Sequence, residues 1–352
     1  MQVTIKDIAR AAAVSVQTVS NVVNGRPVVR EETRARVLAI CRELNYTPNA
    51  AARSLVTGSR KMIGAVVPHI GNPLYGEVTT FLTRAARALG FSTLVGDTGW
   101  EPEAEMTLLR GLIGQGVDGV ILASTTVDGA GLRMVQDAGI PVVMLFNYPV
   151  PCPADSFRLD NAGAFRAVTR HLIGLGHRRI LFLMRPGRRT IERRREGWQD
   201  ALIQHGIAVT EEMLVPVDDW IPDLAVQAIA QRIRERGLDF TAILAAGDSL
   251  AAGAIVGVQQ AGYTVPGDVS IMGIDDLPQA AFLTPPLTSM HVPKREIGMV
   301  ALDLLRDGLS GPPMPARRVE LACHLVERLS VGPAPGWAPA NLKNRGSGND
   351  RI

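Results

Sequence analysis

From residue 61 onward, short apolar runs alternate with amphipathic stretches. "MIGAVVP", "STLVGD", "GVILAS" and "PVVMLF" come first, spaced 20–30 residues apart, and "RILFLM", "EMLVPV", "AILAAGD" and "VSIMGID" follow. Val- and Ile-rich runs separated by helical periodicity predict βαβ units with parallel strands, in numbers sufficient for two sheets. Open sheets of this kind take ligands beyond the carboxyl ends of their strands, so two of them facing one another predict a cleft. Before residue 61 the period is helical throughout. "TIKDIARAAAVSVQTVSNVVNG" predicts two short helices about three residues apart, the spacing of a helix-turn-helix. Thr4 caps the first, with Asp7 three residues on and Ile5, Ile8 and Ala9 facing inward. Ser15 caps the second, which stops near Asn24-Gly25. Val19, Val22 and Val23 fall on one side of that helix, and Gln17, Thr18 and Asn21 on another. A third helix over "EETRARVLAICRELNY" has Val37, Leu38, Cys41 and Leu44 at core spacing and Glu31 and Glu32 in its first turn. The expected fold is α/β: a small all-α helix-turn-helix head plus two doubly wound parallel-sheet subdomains.

Charge sharpens this picture. Residues 1–60 hold nine Lys or Arg against four Asp or Glu, a net +5, which leaves −2 on the remainder of a chain whose formal charge is +3. A basic head on a slightly acidic body is the asymmetry of a phosphate-backbone binder. The second helix is uncharged within this basic segment. Its amides and hydroxyls both donate and accept hydrogen bonds, which suits base edges, while the rim charges suit phosphates. The hydrophobic fraction of 46% and charged fraction of 20% are globular values. Cys41, Cys152 and Cys323 lie far apart with no CxxC pair, so neither a disulfide framework nor a zinc site is expected. The start "MQVTIKDIAR" has no apolar core of a signal peptide, and no 18-residue apolar run occurs, so a cytoplasmic protein without a membrane partner is expected. No GxGxxG at a strand–helix turn, P-loop, GxSxG or HExxH is present. "GLGHRRI" precedes a strand and lacks the third glycine, and the six histidines are scattered. No cofactor, metal or enzymatic activity is expected.

The stretch "TIKDIARAAAVSVQTVSNVVNGRPVVREETRARVLAICRELNYTPNAAARSL" resembles the DNA-binding head of the lactose-repressor/galactose-repressor (LacI/GalR) family across residues 3–58. The resemblance implies that Val16, Gln17 and Asn21 contact base edges in the major groove. It also implies that Thr18 and Ser20 contact or support phosphates, and it adds Thr4, Ser15, Asn24, Asn49 and Ala52 to the DNA-binding set. "PNAAARSL" (Pro48–Leu55) is by composition a linker. By resemblance it is a hinge helix ordered over bent DNA, with Leu55 as a minor-groove wedge. Three positions depart from the family. Ala13 stands where Gly or Asn is common, so a left-handed turn there costs roughly 1 kcal/mol. Arg30 replaces a Ser cap worth about 1 kcal/mol. Asn21 replaces an Arg or His, and Asn prefers adenine where Arg prefers guanine.

The body resembles the periplasmic-sugar-binding-protein-like effector domain of the same family, through "NPLYGE", "GVDGVILAS", "GIPVV", "LGHRRI", "RRREGWQDAL", "AILAAGDSLAAGA", "VPGDVSIMGIDD" and "LTPPLTSM" in order. The resemblance implies effector contacts at Leu74, Tyr75, Ser124, Arg194, Trp220 and Asp275: an apolar or stacking wall, an Arg clamp, a stacking aromatic and a carboxylate that accepts hydroxyl hydrogen bonds. Gly247 replaces a common Asn, Phe146 or Asn147 stands near a missing Asp, and Val292 stands where some members have Gln. The arginines of "RPGRRTIERRR" lean toward an anionic ligand such as a sugar acid. The expected organisation is a head over 1–47, a hinge and linker over 48–60, a two-lobed effector and dimerisation domain over 61–330, and a disordered Pro/Gly/Asn-rich tail over 331–352 without a tetramerising helix. These features predict a ligand-responsive repressor that binds a pseudo-palindromic operator as a homodimer, its effector a small sugar, sugar acid or similar metabolite. A transport or chemoreceptor binding protein would explain the body but not the head, and an α/β enzyme lacks a catalytic constellation.

Overall fold

A computed structural model describes residues 3–46, 58–124, 126, 128–146, 152–310 and 315–336. The chain divides into two compact units, Met1–Lys61 and Met62–Ile352. Asn49, Ala52, Leu55 and the rest of the expected hinge helix lie outside the described residues, as does Asn147.

The first unit is a three-helix cluster of α1 (Ile5–Ala11), α2 (Val16–Val23) and α3 (Glu31–Glu43). Its core is Ile8, Ala9, Ala12, Val19, Val22 and Val37, drawn from all three helices. Asp7 Oδ2 accepts from the Thr4 backbone N–H at 3.0 Å and the Thr4 hydroxyl at 2.6 Å, which closes the start of α1. Ser15 Oγ accepts the Thr18 N–H at 3.0 Å and caps α2. Ala13, in the turn, adopts φ +50°, the left-handed conformation that a glycine would take without strain. Arg30 begins α3 with no side-chain cap. The expected inner face of α3 needs correction. Leu38 and Leu44 are 41% and 37% exposed; Leu38 is one residue, about 100°, round from Val37, and Leu44 lies beyond the end of the helix.

The second unit has two lobes. Lobe 1 carries β1 (Met62–Val67), β2 (Ser92–Asp97), β3 (Gly119–Leu122), β4 (Val142–Leu145), β5 (Asp155–Leu159) and β11 (Arg318–Leu321), ordered β11-β5-β4-β3-β1-β2 and parallel throughout. Lobe 2 carries β6 (Ile180–Met184), β7 (Leu214–Pro216), β8 (Ala242–Ala245), β9 (Ser270–Asp275), β10 (Thr288–His291) and β12 (His324–Val326), ordered β12-β10-β9-β8-β6-β7. Only β12 in this sheet runs antiparallel, against β10. Helices cover the sheets: α4 (Pro73–Ala88), α5 (Pro102–Gly114) and α6 (Ala130–Asp137) in lobe 1, and α7 (Asn161–Gly174), α8 (Arg189–Gln204), α9 (Pro222–Arg236) and α10 (Asp248–Gln260) in lobe 2. The last, α11 (Lys294–Ser310), packs on α4 and on β3, β4 and β5. All eight runs read from the sequence are strands. Strands β6, β8 and β9 are buried along their whole length, as parallel strands covered on both faces must be.

Among the described residues the chain passes between the lobes three times: after β5, between β10 and α11, and between β11 and β12. These passages set the two sheets side by side, and the carboxyl ends of both face one cleft. The packed chain also continues past the expected tail boundary at 331. Gly332 O accepts from His177 Nε2 at 3.0 Å and Ser270 Oγ at 3.1 Å, and the Ala334 N–H donates to Leu175 O at 2.8 Å. No described helix is long and apolar enough to cross a membrane.

Candidate DNA-reading face and effector cleft

The two buried valines of α2, Val19 and Val22, anchor it, and this leaves the opposite side outward. There Val16 is 42% exposed, Gln17 is exposed and Asn21 is half-buried. Gln17 Nε2 donates to Asn21 Oδ1 at 3.3 Å, so the two amides form a row. The row leaves Gln17 Oε1 to accept and Asn21 Nδ2 to donate, a pattern complementary to a base edge. Thr18 and Ser20 flank it: the Thr18 hydroxyl lies 2.9 Å from Ser15 Oγ, and Asn24 Nδ2 donates to Ser20 Oγ at 3.3 Å. Thr4 and Ser15 are engaged as caps.

In the cleft, Arg194 on α8 is buried. Its Nε donates to Asn161 Oδ1 at 2.8 Å and its guanidinium to Ala246 O at 2.5 Å. Gly197, one turn on, makes this possible, because any Cβ there would collide with the Ala162 carbonyl oxygen and hold α8 away from α7. Asp275 ends β9 and is also buried; its Oδ1 has no hydrogen-bond partner among the described residues. An unpaired buried carboxylate oxygen is costly, and a ligand hydroxyl would satisfy it. Burial lifts the Asp275 carboxyl to about 6, with the Arg194 and Lys294 cations opposing the rise. Burial also lowers Arg194 from the ordinary guanidinium value. Trp220 lies over Gly247: a Cβ at 247 would meet the indole at 3.1 Å and Asp275 Oδ2 at 3.5 Å. The glycine thus seats the indole beside the carboxylate.

Lobe 1 supplies an aromatic wall. Tyr75 is buried at the start of α4 and meets Trp100 edge-on at 6.0 Å and Phe146 at 5.8 Å between ring centroids. Burial raises the Tyr75 phenol, which lies within electrostatic reach of Arg194 and Asp275. From lobe 2, Arg188 and Arg185 lie 4.6 Å and 5.6 Å from the centroid of the Trp100 ring, within cation–π range. The structure therefore brings together Tyr75, Arg194, Trp220 and Asp275. Leu74 is core, its N–H donating to Asn72 Oδ1 at 3.1 Å. Ser124 is placed elsewhere: its Oγ donates to buried Glu105 Oε1 at 2.8 Å. Alternation along the strand explains this, since Ile121 and Ala123 face the main core and Leu122 the opposite cluster, which turns Ser124 beneath α5.

The sequence reading missed Trp100, Asn161 and Lys294, while Arg188 and Arg185 belong to the arginine-rich stretch it marked for an anionic ligand. Trp100 follows the end of β2 as Tyr75 follows β1, so the rule that strand carboxyl ends carry the ligand would have reached it. A cavity of about 430 Å³ lined by Ile140, Val142, Leu304 and Arg317 opens at the amino-terminal ends of β4 and β5, away from this chemistry. Its arginine is committed to Asp155 and Asp307. Among the described residues no group of His, Cys, Asp and Glu is placed to hold a metal ion.

A helix-turn-helix unit and a two-lobed cleft with a carboxylate, a buried arginine and aromatic walls define a DNA-binding protein built on a binding-protein fold. Residues 4–49 match the model for bacterial regulatory proteins of the lacI family, and residues 169–331 match the periplasmic binding protein-like domain. The chain is 33% identical over 338 residues to the HTH-type transcriptional repressor PurR of Erwinia tasmaniensis, covering 94% of this chain and 98% of that one. It is 32% identical over 333 residues to the ribose operon repressor of Escherichia coli K12, covering 93% and 99%. Among solved structures it is similar to the lac repressor dimer bound to operator and the anti-inducer ONPF, with a TM-score of 0.85 and 28% identity, covering 94% of this chain and 100% of that one. The chain belongs to the lacI family of bacterial regulatory proteins.

Proposed function

We propose that this protein is a transcriptional repressor, not an enzyme, that acts in the cytoplasm. In this reading it binds a pseudo-palindromic operator as a homodimer and changes its hold on that DNA when a small metabolite enters the cleft. The observation that carries the reading is the presence in one chain of an uncharged amide face on a capped helix and an unpartnered buried carboxylate oxygen between two lobes. The solved lac repressor, described as a dimer on operator, supports the two-fold arrangement. Aromatic walls stack on a sugar-like ring, Asp275 accepts a hydroxyl, and the arginines at the Trp100 edge favour an acid group, so a sugar or sugar acid suits the cleft best.

Base reading tests the head. Gln17→Ala should cost specific operator binding about 1–3 kcal/mol and leave binding to random DNA nearly unchanged. Asn21→Arg should move the preference at one operator position from adenine to guanine. Binding-site selection with both variants measures this; an unchanged consensus for Asn21→Arg would remove Asn21 from the reading face.

The dimer also has a surface to test. Phe282, at the end of the 3-10 turn Pro278–Phe282 after β9, is 85% exposed, the most exposed large apolar side chain among the described residues, and we place it in the dimer contact. Phe282→Asp should shift the protein from dimer to monomer in light scattering and weaken operator binding with it. An unchanged mass would place the interface elsewhere.

A further inference from the structure

Lys294 is 6% exposed, yet it belongs to neither the reading face nor the ligand-facing wall of the cleft. A lysine is rarely buried unless its ammonium is fully occupied, and here three oxygens surround it. Nζ donates to Asp275 O at 2.6 Å and Asp276 O at 2.9 Å, and it lies 3.4 Å from Glu77 Oε2. The two carbonyls belong to consecutive non-glycine residues at φ +122° and +49°, conformations that persist only when the surroundings hold them. The Asp276 side chain is held separately, by Arg328 at 2.6 Å and His291 at 2.8 Å. The Asp275 carbonyl also accepts the Val292 N–H at a longer 3.5 Å, so the Lys294 ammonium is its nearer donor and the one group that bridges both strained oxygens.

The three oxygens come from both lobes. Lys294 is the first residue of α11, which packs in lobe 1, and Glu77 lies on α4 of the same lobe. Asp275 closes β9 of lobe 2, and Asp276 follows it directly. One cation therefore spans the second passage of the chain between the lobes, with its root and counter-charge on one side and the effector carboxylate's own backbone on the other.

We propose that Lys294 is a positioning residue of the effector site: it fixes the Asp275–Asp276 turn so that the Asp275 carboxylate faces the cleft, and through Glu77 it ties that turn to lobe 1. A rotation of the lobes then strains the same backbone that presents the carboxylate, and a ligand drawn onto Asp275 pulls on lobe 1. The proposal rests on the reading of Asp275 as the effector's acceptor.

Hydrogen exchange of the full chain, with neither ligand nor DNA, tests it. The amides to follow are Asp276, bonded to Ser289 Oγ, and Leu277, bonded to Asp248 Oδ2. Lys294→Met should speed their exchange at least about tenfold, and Lys294→Arg, which keeps the cation, should restore most of the protection. Glu77→Gln, a change on a half-buried side chain of lobe 1, should speed the same lobe 2 amides. If Lys294→Met does not fold, Glu77→Gln carries the test by itself. Unchanged exchange at 276 and 277 in Glu77→Gln, or changes in Lys294→Met confined to the first turn of α11, would overturn the tether. Because no ligand is used, such a result leaves the role of Asp275 standing, whereas a failure of Asp275 in ligand binding leaves the tether standing.

Discussion

Operator binding by the full chain should weaken by about three orders of magnitude or more between roughly 50 and 200 mM salt, the range for six to ten phosphate contacts. The expectation comes from where the charges sit. The head carries a net +5, so a dimer brings two such units to the duplex. Helix α2 contributes none of that charge, and Lys6, Arg26, Arg30, Arg36 and Arg42 lie exposed around it. Arg34 is partly withdrawn, its guanidinium donating to Arg26 O at 2.6 Å. Each phosphate neutralised releases counterions, so affinity falls linearly on logarithmic axes. Replacing one rim cation, as in Lys6→Gln, should reduce the slope by about one for each phosphate left without its cation, and the preferred sequence should not change. Fluorescence anisotropy across a salt series measures both, and a slope near zero would mean that the head does not hold DNA through its backbone.

In the cleft, Asp275→Ala should shift the response to the metabolite to about five- to 150-fold higher concentration while operator affinity in its absence stays unchanged. A buried ligand hydroxyl loses its acceptor, at a cost of about 1–3 kcal/mol, or roughly five- to 150-fold in affinity. Acidity gives a second, independent signature. Burial lifts the Asp275 carboxyl to about 6, and only the ionised form accepts from the ligand with both oxygens. Metabolite affinity should therefore be flat above that pH and fall by about tenfold per unit below it. Asp275→Asn should remove the step. Calorimetric titrations from pH 5 to 8, with whichever sugar or sugar acid raises the melting temperature, check this. A pH-independent affinity in the wild type would place the ligand away from Asp275.

Much of this architecture was legible because its periods are simple. Strands buried along their length, such as β6, β8 and β9, read as continuous apolar runs, and the edge strands β2 and β7, though largely uncovered, keep enough of that pattern for all eight runs to be strands. β5 ("DSFRL"), β11 ("RVEL") and β12 ("HLV") are short and mix charge or imidazole with apolar residues, so nothing in their local pattern marks them. On α2 the valine spacing separates the packed face from the amide face. On α3 the same logic overreached, because a three-helix core is narrow and admits Val37 but leaves Leu38 in solvent. In the cleft, Arg194, Asp275, Tyr75 and Trp220 converge from four separate segments. Ser124 does not, since strand alternation carries it beneath α5. Lys294 was invisible for a different reason: its partners are two carbonyls and a carboxylate distant in sequence, and backbone oxygens leave no trace in a residue pattern.

Coupling between head and cleft is what separates a regulator from a binding protein that happens to carry a DNA-binding unit. If effector changes operator affinity, operator must change effector affinity by the same factor. The most direct measurement titrates the metabolite calorimetrically into the full chain, once alone and once with a saturating operator duplex chosen by the protein from genomic fragments. A repressor released by its ligand should bind that metabolite about five- to 150-fold more weakly on DNA, and a repressor that needs its ligand should bind it more tightly by a similar factor. Identical affinities in the two titrations would contradict the regulator reading, because the cleft would then sense nothing on behalf of the head.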